Sequence, residues 1–497
     1  MEIGYSSPRR GLRPLHSVLY FGASLEGDPI SNEICYASAT ELALRIRNKT
    51  LSPLEVVRAH LDRIQAVNSK LNAVVTLADG AMDSARKAEA ALMRNETLGP
   101  LHGVPFTAKD CFDTAGIQTA RGSRIFANRV PRADATAVSR LKQAGAILLG
   151  KTNLPEFSLW SETSNVMFGQ TNNPWKLDRT PGGSSGGEGA AVSAGLSPLG
   201  MGTDLGGSNR LPAHYCNLVG FKPTHGRIPL TGTWPDLMAR FMHVGTLTRT
   251  VQDAALSLSV LTGPNGKDPY AVPVPAPGVP DLGKPLQKLT VGWCAEGPFA
   301  PVDSEIQKIV VAAAAALESR GCQMKPISLA EWEQRKPIEV GMNLLGGEIA
   351  TYLEPFVSGH HEKLAPSSRR LLGSPMPTFA EYLKALADVE RLREDMTQYF
   401  SDLDLLLLPT APLTAHVHGA ATFQINGKTV PASHAGSATV GFGLTGSPAI
   451  SIPFGFSQDR LPIGVQLVAR HFEESVLFQA ALALEAHSGV FQQHPPI

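Results

Sequence analysis

Two short serine loops carry the residues best suited to chemistry. They lie in PGGSSGGEGAAVSAGLSPLGMGTDLGGSNR (181–210), as GGSS at 182–185 and DLGGS at 204–208, joined by a small-residue stretch that suits a closely packed helix. The second loop offers successive backbone N–H groups at Leu205, Gly206, Gly207 and Ser208, and its glycines let a substrate approach that backbone closely. Such amides can hold the oxyanion that forms when a hydroxyl attacks a carbonyl. Ser208 is then the candidate nucleophile. A serine hydroxyl is too weak alone and needs a base. The 14 histidines fall in no arrangement that pairs with it, and His360-His361, in GHHEK, reads as a solvated turn. A lysine is the other known base for a serine nucleophile.

Three rival readings of the same stretch fare worse. A flexible linker would be Gly/Ser throughout, but this run gives way to GEGAAVSAG. A phosphate-cradling P-loop needs GxxxxGK[ST], and no lysine follows these glycines. Gly182 to Gly186 matches GxSxG, the nucleophile elbow that joins a strand to a helix. The segment before it, NPWKLDRTP (173–181), is polar and Pro-bounded and does not read as a strand.

Several ordered motifs then bring in a family. GVPFTAKD (103–110), GKTNLPEF (150–157), PGGSSGGEGAAVSAG (181–195), GTDLGGSNR (202–210) and GFKPTHGR (220–227) strongly resemble the amidase signature family, and LTGSPAISIPFGF (444–456) and LPIGVQLVAR (461–470) continue the resemblance. It covers roughly residue 38 to the C-terminus, least clearly in the middle third. The GGEGA variant is similar to the fatty acid amide hydrolase branch and to many bacterial amidases. The resemblance implies a Ser–cisSer–Lys triad: Lys109 as base, Ser184 as bridging serine after a cis bond to Gly183, and Ser208 as nucleophile. It implies supporting roles for Ser185, Asp204 and Arg210. Two departures from the family pattern, Asn209 after the nucleophile and Arg121 in TARGS (119–123), are expected to lie near the active-site wall and to bear on substrate preference.

The implied function is a serine amidohydrolase that cleaves a carboxamide C–N bond through an acyl-enzyme, with no metal and no organic cofactor. Carbamate (urethane) or ester cleavage would use the same parts. One component of a glutamine-dependent tRNA amidotransferase is the alternative of a different class, and Asn209 and GGEGA weigh toward a stand-alone hydrolase. Such a mechanism makes a demand on Lys109. A free lysine has a pKa near 10.4, so only about one in a thousand is neutral at pH 7. Burial must lower it by roughly 3 units, and the adjacent Asp110 is expected to point its carboxylate elsewhere.

The elements that must position these residues are legible in part. SATE (38–41) reads as a capping box, and SPLE (52–55) adds Pro53 at a first helical position. Leu54, Val57, Leu61 and Ile64 fall on one helical face. Further helices are expected over 134–144, 303–320 and 473–486, and strands at AILLG (146–150), LTVGWC (289–294), LLLLP (405–409), AISIP (449–453) and GVQLVA (464–469). This alternation predicts an α/β fold with helices on both faces of a sheet. With the resemblance, the expectation is one large domain over 38–497 around a central mixed, mostly parallel sheet. It has a Pro-rich surface connection at 264–285 and substrate-wall insertions at roughly 330–445. Residues 1–37 read as an extended N-terminal arm.

Bulk properties narrow the partners. The chain has 497 residues, 43% hydrophobic, with 44 Lys+Arg against 44 Asp+Glu. A net charge of zero speaks against a nucleic-acid or anionic-membrane partner. No run of 18 apolar residues suggests a membrane span. The N-terminal stretch LHSVLYFGAS lacks a clear cleavage motif, so no signal peptide is expected. Five scattered cysteines without CxxC read as a reduced, cytoplasmic protein without disulfides or zinc. The expected partner is a small-molecule amide, carbamate or ester, and a homodimer is left open.

Overall fold

The computed structural model describes residues 29–497 except 279, 282, 283 and 287. One sheet of 11 strands organises the chain. They are β1 (Val74–Leu77), β2 (Pro105–Lys109), β3 (Ile147–Thr152), β4 (Leu199–Asp204), β5 (Val219–Lys222), β6 (His243–Thr248), β7 (Thr290–Trp293), β8 (Gln323–Pro326), β9 (Leu405–Pro409), β10 (Ala449–Phe456) and β11 (Pro462–Ala469). Their spatial order is β1-β3-β2-β4-β6-β5-β10-β11-β9-β7-β8. The expected parallel pairing occurs on the two flanks, at β3-β2-β4 and β9-β7-β8. The pairs from β4 through β6, β5, β10 and β11 to β9 run antiparallel, as does β1 on β3.

Burial on both faces explains why the strands read as unbroken apolar runs. Leu405 and Leu407 of β9 join one core, while Leu406 and Leu408 join another. On β3, Leu148 faces one way and Ile147 and Leu149 the other. The first core is closed by the helices Val251–Leu261, Ser304–Ser319 and Glu474–Ser488. The second is closed by Pro337–Val357 and Phe379–Asp402. The predicted α/β fold with helices on both faces is therefore the observed one.

Local sequence rules hold with small departures. Ser52 and Glu55 form the full capping box ahead of Pro53–Leu71, and Leu54, Val57, Leu61 and Ile64 meet in one cluster. Ser38 caps Ala39–Arg47 by accepting from the Glu41 amide at 3.0 Å, but the Glu41 carboxylate turns to Arg45, so only half the box forms. The helix expected over 134–144 spans Thr136–Gln143. The reading of an extended arm over 1–37 needs correction in its last part, because Pro29–Tyr36 is a helix; residues 1–28 lie outside the described residues. The Pro-rich connection is tied down where Arg227 Nη1 donates to the carbonyls of Val274 and Pro275, both at 2.9 Å. All five cysteines are buried. Among the described residues, no helix is long and apolar enough to cross a membrane.

Candidate active site

Lys109 ends β2, the strand that lies between β3 and β4. Its side chain is fully buried, and Nζ lies 2.6 Å from Ser184 Oγ and 2.9 Å from Thr203 Oγ1. Ser184 follows a cis peptide bond from Gly183 and is 1% exposed. The next residues enter the helix Gly186–Ser193, the small-residue helix read from the sequence. Ser208 sits in the turn between β4 and the helix Arg210–Cys216. The Ser185 amide donates to the Ser208 carbonyl at 3.1 Å, which joins the two serine loops. Ser208 is partly open to solvent while Lys109 and Ser184 are closed off. The amine and the Ser184 hydroxyl are buried, and the more accessible Ser208 adjoins them through the Ser185 amide.

Burial sets the charge of the amine. It pulls the Lys109 pKa down to about 8, against the pull of Cys111, Asp204 and Glu188, which favour the charged form. Asp110 points away, as expected. Its carboxylate accepts from the Ala120 amide at 3.0 Å and lies 3.6 Å from Lys151 Nζ. Burial raises Asp110 to about 6 even though Lys151 and the amides of the 120–122 turn oppose this.

Asp204 organises the turn that carries Ser208. Its two oxygens accept from the amides of Gly207 (2.8 Å) and Asn209 (3.1 Å) and take a paired contact from Arg210, Nε at 2.9 Å and Nη2 at 2.8 Å. Arg210 Nη1 continues to Gln466 Oε1 of β11 at 2.7 Å. Burial alone would raise the Asp204 pKa, but the Arg210 charge and hydrogen bonds, with Lys222 and the Asn209 amide, hold it at about 2. Ser185 donates to Thr203 O (3.2 Å) and Asn209 Oδ1 (3.1 Å). Ser185, Asp204 and Arg210 thus tie the turn carrying Ser208 to the loop carrying Ser184 and to β11.

Two expectations change. Gly207 was read as an oxyanion donor, but its amide is already given to Asp204. The amides of Leu205, Gly206 and Ser208 donate to no protein acceptor among the described residues. Asn209 was expected on the substrate wall. It is fully buried, bridges Ser185 to the Phe221 carbonyl of β5, and faces away from solvent. Arg121 stands over Trp234 and Phe126, its guanidinium carbon 4.4 Å and 4.8 Å from their ring centres.

Sequence reasoning missed Thr203 and Glu188. Thr203 holds the Lys109 amine from β4. Glu188, on the helix after Ser184, accepts from Thr107 Oγ1 of β2 at 2.5 Å and from Thr152 Oγ1 of β3 at 2.8 Å. Burial raises its pKa to about 8 against those two hydroxyl bonds. The visible signal was a lone acid in a glycine-rich helix, which points inward only once the sheet beneath it is known. Among the described residues, no cluster of three His, Cys, Asp or Glu has the spacing to hold a metal ion.

The Amidase family model matches residues 55–478. The A component of the glutamyl-tRNA(Gln) amidotransferase of Moorella thermoacetica is 37% identical over 489 residues, covering 94% of this chain and 99% of that one. A bacterial aryl acylamidase of the amidase signature enzymes aligns with TM-score 0.83 at 28% identity over 91% of this chain and 96% of its own. The corresponding amidotransferase component of Thermotoga maritima aligns with TM-score 0.70 at 27% identity over 92% and 94%. The chain belongs to the amidase signature family of enzymes acting on C–N bonds.

Proposed function

We propose that the protein is a serine amidohydrolase that cleaves a carboxamide C–N bond through an acyl-enzyme on Ser208. The observation that carries this reading is the 2.6 Å contact between the buried Lys109 amine and Ser184, next to the more accessible Ser208. Neutral Lys109 takes the Ser184 proton while Ser184 takes that of Ser208, and Ser208 Oγ attacks the carbonyl carbon. The oxyanion rests on the amides of Leu205, Gly206 and Ser208. Collapse breaks the C–N bond, the proton returns through Ser184 to the leaving amine, and water releases the acid by the same route. Carbamates and esters present the same carbonyl to the same parts.

The segment 330–445 supplies the substrate wall in this reading. It reaches the nucleophile turn: Thr439 Oγ1 donates to Gly206 O at 2.7 Å, and a Cβ on Gly443 would lie 1.5 Å from Leu205 O. The test is a hydrolysis screen across aryl anilides, fatty amides, carbamates and esters with Ser208→Ala as control. Turnover of at least one amide, lost in that variant, is expected; turnover retained by Ser208→Ala overturns the reading.

A second reading, an amidotransferase component that releases ammonia from glutamine, is favoured by the 37% identity to the Moorella protein. The closer alignment to the acylamidase, at TM-score 0.83 against 0.70 for the Thermotoga protein at nearly equal identity, weighs toward the hydrolase.

A further inference from the structure

A cavity of about 460 Å³ opens beside the strand end that carries Lys109, and its wall includes Asp113, Arg121, Thr233, Trp234, Asp236 and Asp268. Its link to the candidate site is short. The 120–122 turn is held by the Asp110 carboxylate. Phe112 bridges to Thr233, and the Trp234 amide donates to the Cys111 carbonyl at 3.0 Å.

Each acid on the wall has its own donors. Asp113 takes two hydrogen bonds from Arg129, at 2.7 and 2.6 Å. Asp268 accepts from the amides of Leu230 at 2.7 Å and Tyr270 at 2.9 Å, and Asp236 accepts from the Tyr352 hydroxyl. Arg121 is different. Its side chain is 8% exposed, and the nearest carboxylate oxygen, on Asp113, lies 3.7 Å away. Nε is buried without a partner, and no hydrogen bond joins the guanidinium to another described residue. The Thr233 hydroxyl on the same wall is also buried and unpartnered.

Buried donors without acceptors cost stability. Stacking on Trp234 and Phe126 uses the face of the guanidinium and leaves the in-plane N–H fork without a hydrogen bond, its one charge contact being the 3.7 Å approach to Asp113. That fork matches a carboxylate, which accepts two parallel hydrogen bonds in one plane. We propose that Arg121 and Thr233 form a binding site for the carboxylate of a small organic acid. The acid is either the substrate's own carboxylate or a separate molecule seated beside the catalytic loop.

The test is titration calorimetry with benzoate, with benzyl alcohol as the neutral control. This reads binding and does not depend on the reaction proposed above. Benzoate is expected to bind, and benzyl alcohol to bind at least about tenfold more weakly. Arg121→Met keeps an apolar stem over Trp234 but removes the fork, and should weaken benzoate by at least about tenfold. Thr233→Val removes only the hydroxyl and should weaken it severalfold without lowering the melting temperature. No benzoate binding by the unmodified protein, or equal binding by Arg121→Met, overturns the proposal. If Arg121→Met does not fold, unchanged affinity in Thr233→Val overturns it. When binding is found, competition against a neutral anilide separates the sources: competitive inhibition assigns the carboxylate to the substrate, and noncompetitive inhibition assigns it to a separate acid.

Discussion

Lys109 has to be buried enough to shed its proton yet close enough to Ser184 to use the freed lone pair. Its pKa of about 8, set first by burial, leaves a minority of neutral amine at pH 7 and a majority above 8. The sign of the pH dependence follows. In the proposed mechanism the active form is the deprotonated one, so kcat/KM should rise with pH through a single ionisation near 8 and then level off. Lys109→Ala should abolish turnover, and Lys109→Arg should not restore it, because a guanidinium keeps its proton at these pH values. Near-normal turnover by Lys109→Arg would reduce Lys109 to a positive charge and remove the relay. Exposure separates the two serines in a second experiment. A fluorophosphonate should label Ser208, which is partly open, and not Ser184, which is 1% exposed and bonded to Lys109. Peptide mass spectrometry reads the site, and label on Ser184 would revive the elbow reading of GxSxG.

Among the elements, the distance between Lys109 and Ser184 depends on how the helix Gly186–Ser193 is seated on the sheet. Glu188 sits four residues after Ser184 and accepts from Thr107, two residues before Lys109, and from Thr152 of β3. Glu188→Ala would strand two buried hydroxyls, at about 1–3 kcal/mol each, and free the helix to shift. Steady-state kinetics should then show kcat falling at least about tenfold with KM changed less, since misplacement of about 1 Å can cost two orders of magnitude. Glu188→Gln, which keeps the shape and one acceptor, should fall less; equal, near-wild-type kcat in both would remove the clamp. This clamp was illegible in the sequence, whereas the elements around it were not. LLLLP and AILLG announced buried strands by unbroken apolar runs, and Ser52 with Glu55 announced a helix start, because those signals are local. The helices Pro337–Val357 and Phe379–Asp402 went unassigned among residues read only as insertions. Candidate residues 109, 184 and 208 came from motifs. The inward turn of Asn209 and the engagement of the Gly207 amide did not, because each depends on a partner, Ser185 and Asp204, that only folding brings into contact.

For the whole molecule, the question is whether the site is complete in one chain. The turn that carries Ser208 is closed from beneath by Gln466 of β11 through Arg210, and from the side by Thr439 and Gly443. Lys109 comes from residues 105–109 and the bridging serine from the loop at 182–185. Every group in the proposed mechanism is therefore supplied by this chain, from residues 109–208, with supporting contacts from as far as Gln466. An amidotransferase component would act on glutamine and would pass ammonia to a partner, so its useful output depends on assembly. A stand-alone hydrolase needs only substrate. The protein expressed alone and passed through gel filtration should turn over the amide accepted in the screen in fractions that hold no second polypeptide. The same fractions should release no ammonia from glutamine above the level of Ser208→Ala. Glutamine-derived ammonia that depends on Ser208, together with failure on every anilide, fatty amide, carbamate and ester, would transfer the protein to the amidotransferase reading and leave the chemistry of the serine loops unchanged.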